Sequence, residues 1–162
     1  MSADSVLAAS SAAGSRPRPV PAILVGGVIT GVIDLLYAMV VYSPHRPLLI
    51  PLHIATGVLG ASAYKEGVPT VILGVMLHFV IAIGAATVYY LASRRLPLLV
   101  ERPVVCGMIF GGLVYFFMHL VVLPLSAVAH HHTPFIYQAT EFVEHWFVVG
   151  LPISFSVRHY SR

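Results

Sequence analysis

Charge is what this chain has least of. Of 162 residues only 9% are Asp, Glu, Lys or Arg, against 58% hydrophobic types, and the mean hydropathy is +0.89. A soluble domain carries roughly 25% charged residues to cover its surface. So few polar side chains cannot solvate a water-facing surface of this size, so lipid is the solvent this composition expects. Cysteine is nearly absent as well. The single Cys106 lies in an apolar run, which excludes an intrachain disulfide and any cysteine metal motif and leaves a small buried hydrophobe. The nine basic residues are scattered one to three at a time, which is not the footprint of nucleic-acid binding. No P-loop, dinucleotide fingerprint or G-x-S-x-G is present, and Ser126 has no base near it in sequence. A non-enzymatic role is favoured over catalysis.

Four long apolar runs fill the rest. They cover about residues 20–42, 69–92, 103–128 and 134–157, each close to or above the ~20 residues that cross ~30 Å of hydrocarbon. In lipid only helices satisfy a lone segment's backbone. The expected fold is all-α, an integral membrane four-helix bundle over 20–158, with a disordered tail over 1–19 and a short end at 159–162. Residues 48–61, LLIPLHIATGVLGA, are apolar but too short to span, and read either as a short interfacial or re-entrant helix in the first outer loop or as a packed loop. Pro124 and Pro152 fall inside the third and fourth runs and should kink them.

Seven basic residues (Arg16, Arg18, Arg94, Arg95, Arg102, Arg158 and Arg162) fall on one side of the bundle and two, Arg46 and Lys65, on the other. The richer side is cytoplasmic by the positive-inside rule, so both termini are expected inside. Gly27 and Gly31 form a GxxxG in the first run, and Gly107 and Gly111 another in the third. Such pairs let helices approach closely, either each other or a second subunit in a homo-oligomer. A faint repeat accompanies them. Runs one and three are glycine-rich, while runs two and four place His before an aromatic, His78-Phe79 and His145-Trp146, the pattern of two duplicated hairpins.

The ionisable residues inside these runs carry the functional question, because each is expensive in lipid. They are Asp34, His78, His119, Glu141, Glu144 and His145. Counted from the outer helix ends they lie at one level, roughly 11–17 Å deep. Glu141, Glu144 and His145 share one helical face. Of the nine histidines, eight lie on or toward the outer side, including His53 and the run His130, His131 and His132, which could bind a transition metal weakly or be inert. Three readings stand together. The buried groups could only satisfy one another and fix helix order. A subset, His78, His119, Glu141 and His145, could hold a transition metal, or two histidines a haem. The spacing is Glu-x-x-x-His, though, and not the Glu-x-x-His of di-iron bundles. Or the cluster could bind and pass protons. A small transporter or channel subunit acting as an oligomer is a further alternative.

The segments GMIFGGLVYFFMHLVVLPLSA and ATEFVEHWFVVG, with the glycine-rich start of the third run, His119 ahead of Pro124-Leu125, and Glu141 four before His145, resemble the YagU-like group of small bacterial inner-membrane proteins. GVIDLLYA and LGVMLHFVIAIGAATVYYLASRRLP look like other bacterial four-span proteins, so that the likeness extends over about 21–158. The resemblance implies bacterial origin, inner-membrane placement and four helices, and points to His78, His119, Glu141 and His145. It implies no particular activity.

Overall fold

A computed structural model describes residues 18–65, 67–128 and 134–161, and among these the chain is helical with no strand. α1 is Pro19–Tyr42 and α2 is Leu49–Leu59, which runs on into a 3-10 stretch, Gly60–Lys65. α3 is Val68–Ser93 and α4 the short Leu98–Glu101. α5, Pro103–Leu125, contains a π turn at Met118–Val122. α6, Phe135–Glu144, passes through a second π turn, His145–Gly150, into α7, Leu151–Tyr160. Three of these helices, α1, α3 and α5, are long and apolar enough to cross a membrane. The stretch from α6 to α7 is comparably long, but its polar residues keep it out of that group.

The surface is inverted relative to that of a water-soluble protein. Val28, Val32, Leu36 and Val40 on α1, Ile72, Met76 and Val80 on α3, and Val105, Ile109 and Leu113 on α5 all point outward at helical spacing. Small and polar residues face inward. α1 and α7 run side by side through the centre, α3 flanks α1 and α5 flanks α7. The Arg18 amide donates to the Tyr160 carbonyl at 2.9 Å, so both described ends lie on one side. The apolar core, Ala22, Ala86, Tyr89, Tyr90, Val149, Ile153 and Val157, sits at that end. Ser156 and Thr30 stitch the central seam by donating to the carbonyls of Ala22 (2.9 Å) and Val149 (3.4 Å).

The two glycine pairs do not meet. A methyl on Gly27 would strike the Ile83 backbone, and one on Gly31 the Phe79 ring at 2.8 Å, both on α3. One on Gly107 would strike Ser154 and the Gly150 carbonyl, and one on Gly111 the His145 carbonyl and Trp146 Cα, both on the fourth stretch. Each pair is therefore buried inside its own hairpin. The contacts also repeat: two positions four apart on a glycine helix meet two positions four apart on its antiparallel partner, with the later glycine beside the aromatic that follows a histidine. Backbones this close maximise dispersion contact, the main attraction between helices in lipid.

Both π turns come just ahead of a proline. Pro124 and Pro152 lack an amide hydrogen and crowd the carbonyl four residues back, and a wider turn relieves that crowding. In α5 the Leu123 amide reaches back five residues to Met118. α5 then ends at Leu125 and not at 128, because Ser126 turns extended and donates to the Leu123 carbonyl at 2.8 Å. α2 lies along the first turns of α3, where the Pro51 carbonyl occupies the space a side chain on Gly74 would need. The Gly57 carbonyl accepts the Ala127 amide at 3.0 Å, tying α2 to the end of α5. Gly74→Val should lift α2 off, at a cost of about 1–3 kcal/mol. The expected sign is faster hydrogen exchange over 49–65, with the exchange of α1, α5 and α7 unchanged.

Candidate functional site

The six ionisable residues singled out from sequence are brought into one band across all four helical layers. Asp34 lies one turn beyond Gly31 on α1. Gly31 lets α3 come close enough for His78 Nε2 to sit 3.0 Å from the Gly31 carbonyl and 3.6 Å from Asp34 Oδ2. A carbonyl only accepts, so Nε2 carries the hydrogen and the tautomer is fixed. On the other side of the seam the second π turn begins at His145. Its Nδ1 lies 2.8 Å from the Glu141 carbonyl and 2.9 Å from Glu144 Oε2, so the hydrogen is on Nδ1.

Glu144 is the most enclosed acid of the cluster, with its side chain 3% exposed. Its Oε1 has no hydrogen-bond donor beside it. The Asp34 carboxyl is its nearest acidic neighbour, close enough across the seam between the two hairpins for the two to interact. His78, Asp34, Glu144 and His145 thus form a line running from α3 through α1 to the fourth stretch.

The first π turn carries a second pair. His119 Nδ1 lies 3.1 Å from the Tyr115 carbonyl, which assigns its hydrogen there. Nε2 lies 3.6 Å from Glu141 Oε2. In a neutral ring that nitrogen is a lone pair facing a carboxyl oxygen, an arrangement that calls for a proton on one of them. This pair is about a third exposed and lies toward the end of the bundle away from Arg18 and Tyr160. Tyr115 joins it to the deeper line: its buried ring stacks on His119 at 4.2 Å between centroids and meets His145 edge-on at 5.6 Å.

The metal set expected from sequence is not assembled. Among the described residues no three His, Cys, Asp or Glu side chains converge as a metal would require. His78 is paired with Asp34 in the first hairpin, whereas His119 is paired with Glu141 in the second. One nitrogen of each of His78, His119 and His145 is committed to a helix carbonyl. The Tyr115 ring also packs against both His119 and His145, where a group bridging them would have to sit. His53 is elsewhere, on α2, with Nδ1 3.1 Å from the Tyr64 hydroxyl. His130, His131 and His132 lie outside the described residues.

Sequence reasoning passed over three tyrosines. Tyr115 precedes His119 by one turn and Tyr37 follows Asp34 by one, a helical spacing that could have revealed both. Tyr42, the last residue of α1, makes edge contacts with Tyr37 and Tyr137, each at 6.0 Å. Fold and cluster together define an all-helical protein with membrane-type helices and a buried polar band. Comparison of the chain with family models, with curated proteins and with solved structures finds no match.

Proposed function

We propose that the chain is a four-span membrane protein that binds and exchanges a proton at the Asp34–Glu144 pair. The α6–α7 stretch serves as the fourth span: Val143, Phe147 and Phe155 point outward while Glu144 and His145 are buried. α2 dips beside α3 from the outer face as a re-entrant or interfacial element. The basic excess at the Arg18 side puts both ends in the cytoplasm, and the likeness to YagU-like proteins favours a bacterial inner membrane.

The nearness of two acids, Asp34 and Glu144, in one enclosed seam carries this reading. Two like charges held close in a protein interior repel by several times the about 1 kcal/mol they would cost each other in water. A single shared proton turns that repulsion into a hydrogen bond, as in paired-carboxyl sites generally. His78 and His145, one at each end of the pair, each turn an N–H toward a carboxyl and so steady the negative charge that remains wherever the proton sits. His119 and Glu141, more exposed and nearer the outer end, form the entry step, since their facing lone pairs also need a proton between them.

The competing reading is that these pairs only hold helices together, and the carbonyl bonds of His78, His119 and His145 favour it. Proton uptake after a pH step, measured with a dye on protein in lipid nanodiscs, separates the two. Asp34→Asn and Glu144→Gln should each abolish uptake that the unaltered chain shows. Unchanged uptake with only a lower unfolding temperature would leave the structural reading standing.

A further inference from the structure

A proton held at His119–Glu141 has no direct way to the deeper line. The Tyr115 ring stands between His119 and His145, at 4.2 and 5.6 Å between centroids, and a ring face passes no proton. His145 Nδ1 is in any case committed to the Glu141 carbonyl and to Glu144. A different group reaches both sites. The Tyr42 hydroxyl is shut off from solvent and has no hydrogen-bond partner among the described residues. The Tyr37 hydroxyl is close but forms no well-made bond with it. A buried hydroxyl left unpaired is costly and calls for a reason. The Tyr42 ring meets Tyr37 and Tyr137 edge-on. Tyr37 follows Asp34 by three residues on α1 and lines one groove with Glu144. Tyr137 precedes Glu141 by four residues on α6 and so shares its helical face. Tyr42 is thereby wedged between the two acid sites, and its hydroxyl is near enough to Glu141, Glu144 and Asp34 to interact with all three.

We infer that the Tyr42 hydroxyl relays the proton, through water held on it, between the His119–Glu141 pair and the Asp34–Glu144 pair. No carboxyl bonds this oxygen directly, so water is the bridge its position calls for. Water there gives the hydroxyl its missing partner, and the surrounding carboxyls provide the further acceptors that a buried water needs. A hydroxyl donates and accepts at once, which a histidine with one nitrogen bound to a helix carbonyl cannot do as freely. Glu141 gives its proton to a water on its side, and that water passes a hydrogen to the Tyr42 oxygen. The tyrosine's own hydrogen leaves at the same time for a water on the Asp34 side, which delivers a proton to the carboxyl pair. At each oxygen one O–H bond forms as another breaks, and rotation about the C–O bond resets the hydroxyl. Tyr42 therefore passes the proton on and stores none, so its oxygen governs the rate of uptake and not the amount. This inference rests on the proton-binding reading, since it gives that site its path.

The test is stopped-flow proton uptake by the full chain in nanodiscs, read as a rate and as a final amount. Tyr42→Phe removes one oxygen and keeps both ring contacts, so a purely structural role for the ring would survive it. It should slow uptake at least tenfold, with the final amount and the unfolding temperature close to those of the unaltered chain. Tyr137→Phe, which also keeps its ring, is the control and should leave the rate unchanged. An unchanged rate in Tyr42→Phe, a smaller final amount in place of a slower rate, or equal slowing in Tyr137→Phe overturns the relay while leaving the proton site in place. Absent uptake in the unaltered chain overturns the proton reading and the relay together, so the two failures are distinguishable.

Discussion

Gly111→Leu is expected to be the most damaging single substitution in the second hairpin, abolishing its closed packing and dispersing the polar band. A side chain at 111 must enter space held by the His145 carbonyl and Trp146 Cα, and backbone cannot rotate aside as a flexible side chain would. Overpacking a core typically costs about 1–3 kcal/mol, and a contact against backbone belongs at the upper end or beyond. The loss is not only of stability. Pushing α5 away carries Tyr115 off His145 and His119 off Glu141. Gly84→Leu is the control, because a side chain there meets nothing within 4 Å. Reversible unfolding in mixed micelles should show a large loss for Gly111→Leu and nearly none for Gly84→Leu.

The second large effect is expected at Glu144. Glu144→Ala removes one of the two acceptors of His145 Nδ1, leaving it the Glu141 carbonyl, and takes away the neighbour of Asp34 in a place sealed from solvent. Losing a hydrogen bond to a charged group and leaving a void in its place costs roughly 2–4 kcal/mol. Glu144→Gln keeps the shape and a hydrogen bond to Asp34, so it should cost much less. The pair also makes a statement about coupling. Asp34→Asn and Glu144→Gln together should differ from the sum of the single changes by about 0.5–3 kcal/mol, the range for groups in contact. Additive losses would show that the two carboxyls do not act on each other.

Much of the helical layout is legible in the sequence, because lipid makes hydropathy a direct record of which residues face the solvent. α1, α3 and α5 follow from their apolar runs. The depth of the polar band follows from the rise per residue: Asp34, His78, His119 and His145 count to similar levels from their helix ends. What the sequence hides is pairing. Depth sets the level of a side chain but not its azimuth, and each proline-induced π turn shifts the azimuth of what precedes it. That is why His78, His119, Glu141 and His145 read as one ligand set when His78 in fact turns to Asp34. Glu144 was legible as a member of the band but not as its hub, since i, i+3 spacing does not reveal that α1 presents Asp34 to it. The glycine pairs were legible as packing surfaces, but GxxxG does not name a partner, and only coordinates show each one spent within its hairpin.

The central claim is that Asp34 and Glu144 hold one proton between them inside the bundle. Infrared difference spectroscopy on the chain in lipid bilayers reads this directly, through the carbonyl stretch of a protonated carboxyl at neutral pH. The account predicts such a band in the unaltered protein, lost or shifted in both Asp34→Asn and Glu144→Gln and retained in Glu101→Gln. A spectrum with no protonated carboxyl, or a band indifferent to both substitutions, would contradict it.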